Sequence, residues 1–124
     1  MSEARRILII EDNATNMKLV SDMLTRAGHA VLEAINADEG IVMARDNLPD
    51  LVLMDIQLPG TDGITATRLL KKDAKTAHIP VVALTAHAME GDAQRILDAG
   101  CDAYISKPIR YREFLQQIAD ILGR

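Results

Sequence analysis

Polar residues of three chemical kinds stand directly after short apolar runs in this chain. Glu11 and Asp12 follow Ile7-Leu8-Ile9-Ile10, and Asp55 follows Leu51-Val52-Leu53-Met54. Thr85 follows Val81-Val82-Ala83-Leu84, and Lys107, itself followed by Pro108, comes after Tyr104-Ile105-Ser106. Brought into one crevice, three acids, a hydroxyl and an ammonium make a coherent set. Two carboxylates about 5 Å apart repel by roughly 3 kcal/mol at an effective dielectric of about 20, so the acids call for a cation. Oxygen ligands in small number suit Mg²⁺ or Mn²⁺ better than zinc. Such a site handles phosphate: the metal and Lys107 offset phosphoryl charge, Thr85 donates a hydrogen bond, and ionised Asp55 is a nucleophile toward phosphorus without needing a general base.

Those residues share a crevice only if the apolar runs are neighbouring strands. Short β-like runs alternate with helical patterns about five times along the chain. The expected strands are 5–10, 30–35, 51–55, 79–85 and 102–106. Leu51 to Met54 suits a central strand covered on both faces, and Pro59-Gly60 turns the chain soon after Asp55. Helices are expected after Asn13 as a cap, with Met17, Val20, Leu24 and Ala27 inward, and over about 36–47, buried through Ile41, Val42 and Ala44. Others run from Asp62-Gly63 to about Lys72, with Ile64, Thr67 and Leu70 or Leu69 inward, from about Ala88 to Ala99, and over 110–122 through Phe114, Ile118, Ile121 and Leu122. Gly28 and Gly100 close two of them, and Pro49 stops the second.

Alternation at this spacing implies an α/β fold: a doubly wound, five-stranded parallel sheet in order 2-1-3-4-5, flavodoxin-like, with right-handed crossovers. Ligands then lie at the C-terminal rim beside the switch point between strands 1 and 3, where Glu11, Asp12 and Asp55 stand. The 124 residues, 48% apolar, form one expected domain spanning 1–124. No apolar run nears the length of a membrane span and no signal peptide opens the chain, so a cytoplasmic protein is expected. A net charge of -4 argues against nucleic-acid binding. The lone Cys101 excludes an internal disulfide and a multi-cysteine metal site. Neither GxxxxGK[ST] nor GxGxxG occurs.

Four stretches in this order resemble the receiver domain of two-component response regulators, the CheY-like (βα)5 family. They are Glu11-Asp12-Asn13, Met54 to Gly63, Ala83-Leu84-Thr85-Ala86 and Lys107-Pro108. The stretches 78–89 and 101–109 are similar to stand-alone DivK-type regulators and to receivers of hybrid histidine kinases. The resemblance implies that Asp55 accepts a phosphoryl group from phosphohistidine on a sensor kinase or phosphotransfer protein. It implies Mg²⁺ on Asp12, Asp55 and the backbone carbonyl of Gln57, with Glu11 acting through water. Thr85 and Lys107 would contact the phosphoryl oxygens, Ala86 would leave room above them, Tyr104 would be the aromatic switch, and the Lys107–Pro108 peptide would be cis. Glu11 stands where many receivers have Asp. Gln57 and His87, two residues beyond Asp55 and Thr85, would flank the phosphoryl group and set its lifetime. Output would pass through a downstream protein bound on the face of the fourth helix, fifth strand and fifth helix. Met89, Arg95 and Tyr104 would be parts of that face, and Phe114 a neighbour belonging rather to the core.

Competing readings separate on single features. A phosphatase that forms an aspartyl phosphate would place a second acid where Gln57 stands. An FMN-binding flavodoxin would carry a hydroxyl- and glycine-rich loop where Glu11-Asp12 would instead repel phosphate. A receiver module working with a hybrid kinase, or a constitutive docking module with a decayed site, are the remaining alternatives; the full set of rim residues argues against decay. His29 and His78 are expected at the surface, Cys101 as a packed small residue, and Met17 and Met54 as core.

Overall fold

The computed structural model describes residues 5–86 and 91–123. Five strands alternate with five helices: β1 (Arg6–Ile10), α1 (Ala14–Arg26), β2 (Ala30–Ala34), α2 (Ala37–Asn47), β3 (Leu51–Asp55), α3 (Gly63–Lys72), β4 (Val81–Thr85), α4 (Asp92–Asp98), β5 (Ala103–Ser106) and α5 (Tyr111–Leu122). The sheet is parallel in the order β2-β1-β3-β4-β5, the doubly wound arrangement expected from the alternation.

Side-chain alternation divides the core into two layers. Leu8, Ile10, Val52, Met54, Val81 and Ala83 pack under α2, α3 and α4, with Ile64, Leu70 and Ile96 among their neighbours. Ile7, Ile9, Leu51, Leu53, Val82, Leu84 and Ile105 face α1 and α5, meeting Met17, Val20, Leu24, Phe114, Ile118 and Ile121. Every residue of β3 and β4 is buried, as central strands covered on both faces require.

The helix starts follow their caps. Asn13, Asn36 and Asp62 each accept a bond from the amide three residues on, at 2.9, 2.8 and 2.8 Å. Leu48 closes α2 in the left-handed region at φ 46°, its amide bonded to Ala44, before Pro49.

The inward faces differ from the sequence reading in several places. Val42 is 57% exposed, and α2 buries Ala37, Gly40 and Ala44 instead. The reason is close packing: a β-carbon on Gly40 would overlap the Ile10 side chain, so the helix sits low on β1 and turns Val42 outward. Ala27 is an exposed cap residue beyond α1, and Met23 takes its place inward. On α3 the open choice between Leu70 and Leu69 falls to Leu70, which is buried while Leu69 is nearly half exposed. Leu122 is only partly buried. β4 begins at Val81 because the Ile79 amide turns back to Thr76 and Pro80 has no N–H. The start of the helix expected from Ala88 lies outside the described residues; within them α4 begins at Asp92.

A polar tie at the end of the sheet opposite the rim had no signal in the sequence. Lys71 Nζ donates to the Ile79 carbonyl at 2.8 Å and to Asp102 at 3.0 Å, and the same Asp102 oxygen accepts from the Val81 amide at 2.8 Å. It clamps the end of α3 to the starts of β4 and β5. His29 and His78 were both expected at the surface. His78 is exposed, whereas His29 is half-buried, with Nδ1 accepting from the Arg5 amide at 3.3 Å. Burial, then the Arg5 charge, lowers the imidazole's proton affinity below its ordinary value. The stability this adds is complete above the unfolded-state value near 6.5 and is lost as pH falls through the lower folded value. Thermal melts of His29→Gln are expected to lack that part of the wild-type slope below pH 6.5; an unchanged slope would refute the assignment.

Candidate functional site

Strand register brings the rim residues together. Ile10 pairs with Met54 across β1 and β3, so Glu11 and Asp55, one residue on, stand level on neighbouring strands. Asp55 pairs with Leu84, and Thr85 with Ser106, which sets Lys107 beside the same crevice. Glu11 and Asp55 have the sequence parity of Ile9 and Leu53, the α1/α5 side of the sheet, and Lys107 continues from Ile105 on that side. Thr85 has the parity of Val81 and Ala83 and is fully buried; its carbonyl accepts the Lys107 amide at 2.8 Å.

The acids are crowded and mostly dry. Carboxylate oxygens of Glu11, Asp12 and Asp55 lie within 4.8 Å of one another, a spacing at which each pair of charges repels by about 3 kcal/mol at an effective dielectric of about 20. Glu11 is 1% exposed and Asp55 3%, whereas Asp12 faces solvent. Lys107 Nζ stands 3.4 Å from Asp55 Oδ1 and 3.8 Å from Glu11 Oε1. Asp55 Oδ1 also accepts the Gln57 amide at 3.0 Å, and Glu11 Oε2 accepts the Asn13 amide at 3.2 Å. Glu11 Oε1 is buried and has no hydrogen-bond partner among the described residues. Burial first, then a hydrogen bond with Asp55 and repulsion by its charge, push the Glu11 carboxyl up to about 7. The Asn13 amide and Lys107 pull the other way without prevailing.

This donor set fits a hard divalent cation. Three acids face one ammonium, one buried carboxylate oxygen is orphaned, and the third acid is open to water. A cation there would meet Glu11 Oε1 directly or through a water.

The structure thus gathers Glu11, Asp12, Asp55 and Lys107 into one cluster, with Thr85 at the end of the adjoining strand. Gln57 is exposed beside Asp55 and tied to it through its amide. The Lys107–Pro108 peptide is cis. Tyr104 is 36% exposed on β5 and borders a groove of about 400 Å³ that Lys107, Arg110, Glu113 and Gln117 also line. Arg95 is exposed on α4 and paired with Asp92 at 3.0 Å, while Phe114 is wholly buried. His87 and Met89 lie outside the described residues.

Two contributors escaped the sequence reading. The Asn13 amide holds Glu11 in place, a role that neither its capping signal nor its place in the Glu11-Asp12-Asn13 stretch had assigned to it. Gly63 packs on the backbone at Asp55 and Ile56, a contact between residues eight apart that no local pattern encodes.

Comparisons with known proteins converge. Residues 7–119 match the model of the response regulator receiver domain. The polar-differentiation response regulator DivK of Brucella anthropi is 46% identical over 119 residues, 96% of this chain and 97% of that protein. DivK of Brucella ovis is 45% identical over the same shares. The receiver domain of the sensor histidine kinase PA1611 of Pseudomonas aeruginosa, solved with a magnesium ion in its active-site cleft, superposes with a TM-score of 0.92. It is 31% identical, covering 98% of this chain and all of that one. Vibrio cholerae CheY4, at 19% identity, a TM-score of 0.90 and coverage of 96% and 99%, shares the fold.

Proposed function

This chain belongs to the response regulator receiver family, and we propose that it works as a DivK-type regulator with Asp55 as phosphoacceptor. Its phosphodonor is a phosphohistidine on a sensor kinase or phosphotransfer protein. The observation that carries the residue assignment is the cluster of buried Glu11 and Asp55 with solvent-facing Asp12, the Lys107 ammonium standing 3.4 Å from Asp55.

The chemistry follows from how the side chains are held. A carboxylate oxygen of Asp55 attacks phosphorus, the P–N bond to the donor imidazole breaks, and the imidazole leaves with the electron pair and takes a proton. The product is an acyl phosphate on Asp55. Mg²⁺, or Mn²⁺ in its place, bound by Asp12, Asp55 and the Gln57 carbonyl and through water by Glu11, would neutralise charge on the phosphoryl oxygens. The Gln57 amide and strand β3 fix the carboxylate before attack, which lowers the entropic part of the barrier. Lys107 is poised to exchange its carboxylate partner for a phosphoryl oxygen, and the Thr85 hydroxyl to donate to another. Return to the resting state is hydrolysis: water attacks phosphorus, releasing inorganic phosphate and the Asp55 carboxylate. Gln57 and His87 would set how readily that water arrives.

Output then runs through the face of α4, β5 and α5. Movement of Thr85 toward the phosphoryl group would open space into which Tyr104 turns from its half-exposed position, altering the groove beside Arg110 and Gln117. No helix among the described residues is long and apolar enough to cross a membrane. The cytoplasm, where kinases present phosphohistidine, is the expected compartment.

Intact-mass spectrometry after incubation with Mg²⁺ and acetyl phosphate is expected to show one added phosphoryl group, absent with chelator. A wild-type protein that gains no mass would overturn the reading.

A further inference from the structure

Asp55 lies in a short segment gripped from two sides, and one grip depends on a missing side chain. From the sheet, the Ile56 amide bonds the Leu84 carbonyl of β4 at 3.1 Å. From the other side comes the first residue of α3, Gly63, which is buried and whose amide donates to the Ile56 carbonyl at 3.2 Å. A β-carbon on Gly63 would lie 2.8 Å from Ile56 Cα and 3.1 Å from the Asp55 carbonyl carbon, and would overlap the Asp55 carbonyl oxygen. All three obstacles are backbone, so a flexible side chain cannot swing away to make room.

The glycine is not there for its backbone freedom. The positive-φ glycines among the described residues are Gly28, Gly60, Gly91 and Gly100, and Gly63 is not one of them. Any residue could adopt its conformation; only glycine allows the approach. The helix start is held against the sheet by its own packing: Ile64, Ala66 and Leu70 are buried in one layer with Val52, Met54 and Val81. Asp62 caps it through the Thr65 amide at 2.8 Å, and the buried Thr67 hydroxyl donates to the Gly63 carbonyl at 2.8 Å. Thr67 in turn lies 3.7 Å from the buried Cys101 thiol, in the packing between α3 and the start of β5. Since neither side yields freely, a bulkier residue at 63 must displace the peptide between Asp55 and Ile56.

We propose that Gly63 is a positioning residue for phosphoryl transfer: its contact with the Asp55–Ile56 backbone sets where the nucleophilic carboxylate stands. This rests on Asp55 being the phosphoacceptor. Near-attack geometry tolerates displacements of only about 0.5 Å, and a misplacement near 1 Å costs on the order of 100-fold in rate.

The test compares Gly63→Ala with the wild type and with Ile118→Val, a core change in the α1/α5 layer, at a temperature where all are folded by circular dichroism. Phosphorylation by acetyl phosphate is measured at saturating Mg²⁺ and donor, and Mg²⁺ affinity is followed separately by amide chemical shifts. Gly63→Ala is expected to lose roughly 10- to 100-fold in the saturated rate, with Ile118→Val within about twofold of the wild type. Thr67→Val removes the bond to the Gly63 carbonyl without added bulk; it is expected to lose roughly threefold or more in the same rate and serves as the readout if Gly63→Ala fails to fold. A folded Gly63→Ala at the wild-type rate, or Ile118→Val falling equally, would overturn the proposal; with Gly63→Ala unfolded, Thr67→Val at the wild-type rate does so. Failure of the wild type to react would instead overturn the assignment of Asp55.

Discussion

Asp55→Asn is expected to gain no phosphoryl group from acetyl phosphate and Mg²⁺, and yet to melt at a higher temperature than the wild type in chelator. Both results come from one charge. The amide is a poor nucleophile toward phosphorus, so the reaction loses its acceptor. The same change relieves Asp55's repulsion with Glu11 and Asp12, at the cost of its attraction to a partly exposed Lys107. Above pH 7, where Glu11 is ionised, its repulsion with Asp55 in the buried part of the site, aided by the weaker push of solvent-facing Asp12, outweighs an attraction that Lys107 shares with water. The net gain is on the order of 1 kcal/mol, which for a domain of this size raises the melting temperature by about 3–5 °C. Added Mg²⁺ is expected to stabilise the wild type more than the variant, because the variant has lost both a ligand and a reason to bind a cation. Calorimetric melts with and without Mg²⁺ measure all of this. A variant that melts below the wild type in chelator, or that still forms the adduct, contradicts the account of the site.

Phe114→Ala carries the largest expected loss of stability. The ring is fully buried in the layer between the sheet and α5, packed in one cluster with Leu84, Val82, Ile105 and Ile118. Removing it forfeits the burial of the ring and leaves a cavity that the flanking strands, held by their ladders, cannot close; the cost is about 3–5 kcal/mol. Against a total stability of roughly 5–15 kcal/mol, that lowers the melting temperature by about 10–20 °C. Tyr111 is the control on the same helix: at 44% exposure its replacement by Ala is expected to change stability by less than about 0.5 kcal/mol. At low temperature, where Phe114→Ala is folded, phosphorylation of Asp55 is expected to proceed at close to the wild-type rate, because the ring lies in the core and not in the crevice. Similar losses for Phe114→Ala and Tyr111→Ala would place the ring on the surface and reverse the assignment.

The contrast between those two aromatics shows where sequence patterns lose force. Both sit in the first turns of one amphipathic helix, and a period of 3.6 residues says which positions share a face, not how far the buried sector extends. Hence Ile118 and Ile121 are buried while Leu122, on the same face but at the sector's edge, packs against that layer only partly buried. Val42 failed for the same reason, and the choice between Leu70 and Leu69 stayed open in the sequence until the structure gave it to Leu70. Val42 lies next to a residue that does face inward, and the choice was made by an approach distance: Gly40 lets α2 sit against Ile10 closely enough to roll Val42 into solvent. Lys71 and Asp102 are 31 residues apart, so no local pattern could pair them.

The site divides along the same line. The sequence alone determined which groups reach the rim, because a run of apolar residues closed by Pro-Gly, or by Glu-Asp, marks a strand end whatever the surrounding fold. It also determined the order of elements, and with the right-handed crossover the sheet that those elements must form. Only the tertiary structure decided what the acids do to one another. Pairing Ile10 with Met54 sets Glu11 level with Asp55, and the packing over them leaves Glu11 buried, raised to about 7 and with one oxygen unpartnered, while Asp12, its neighbour in sequence, stays in water. Proton affinity and orphaned atoms are properties of distances and of excluded water. A linear chain specifies these only once its strands are in register.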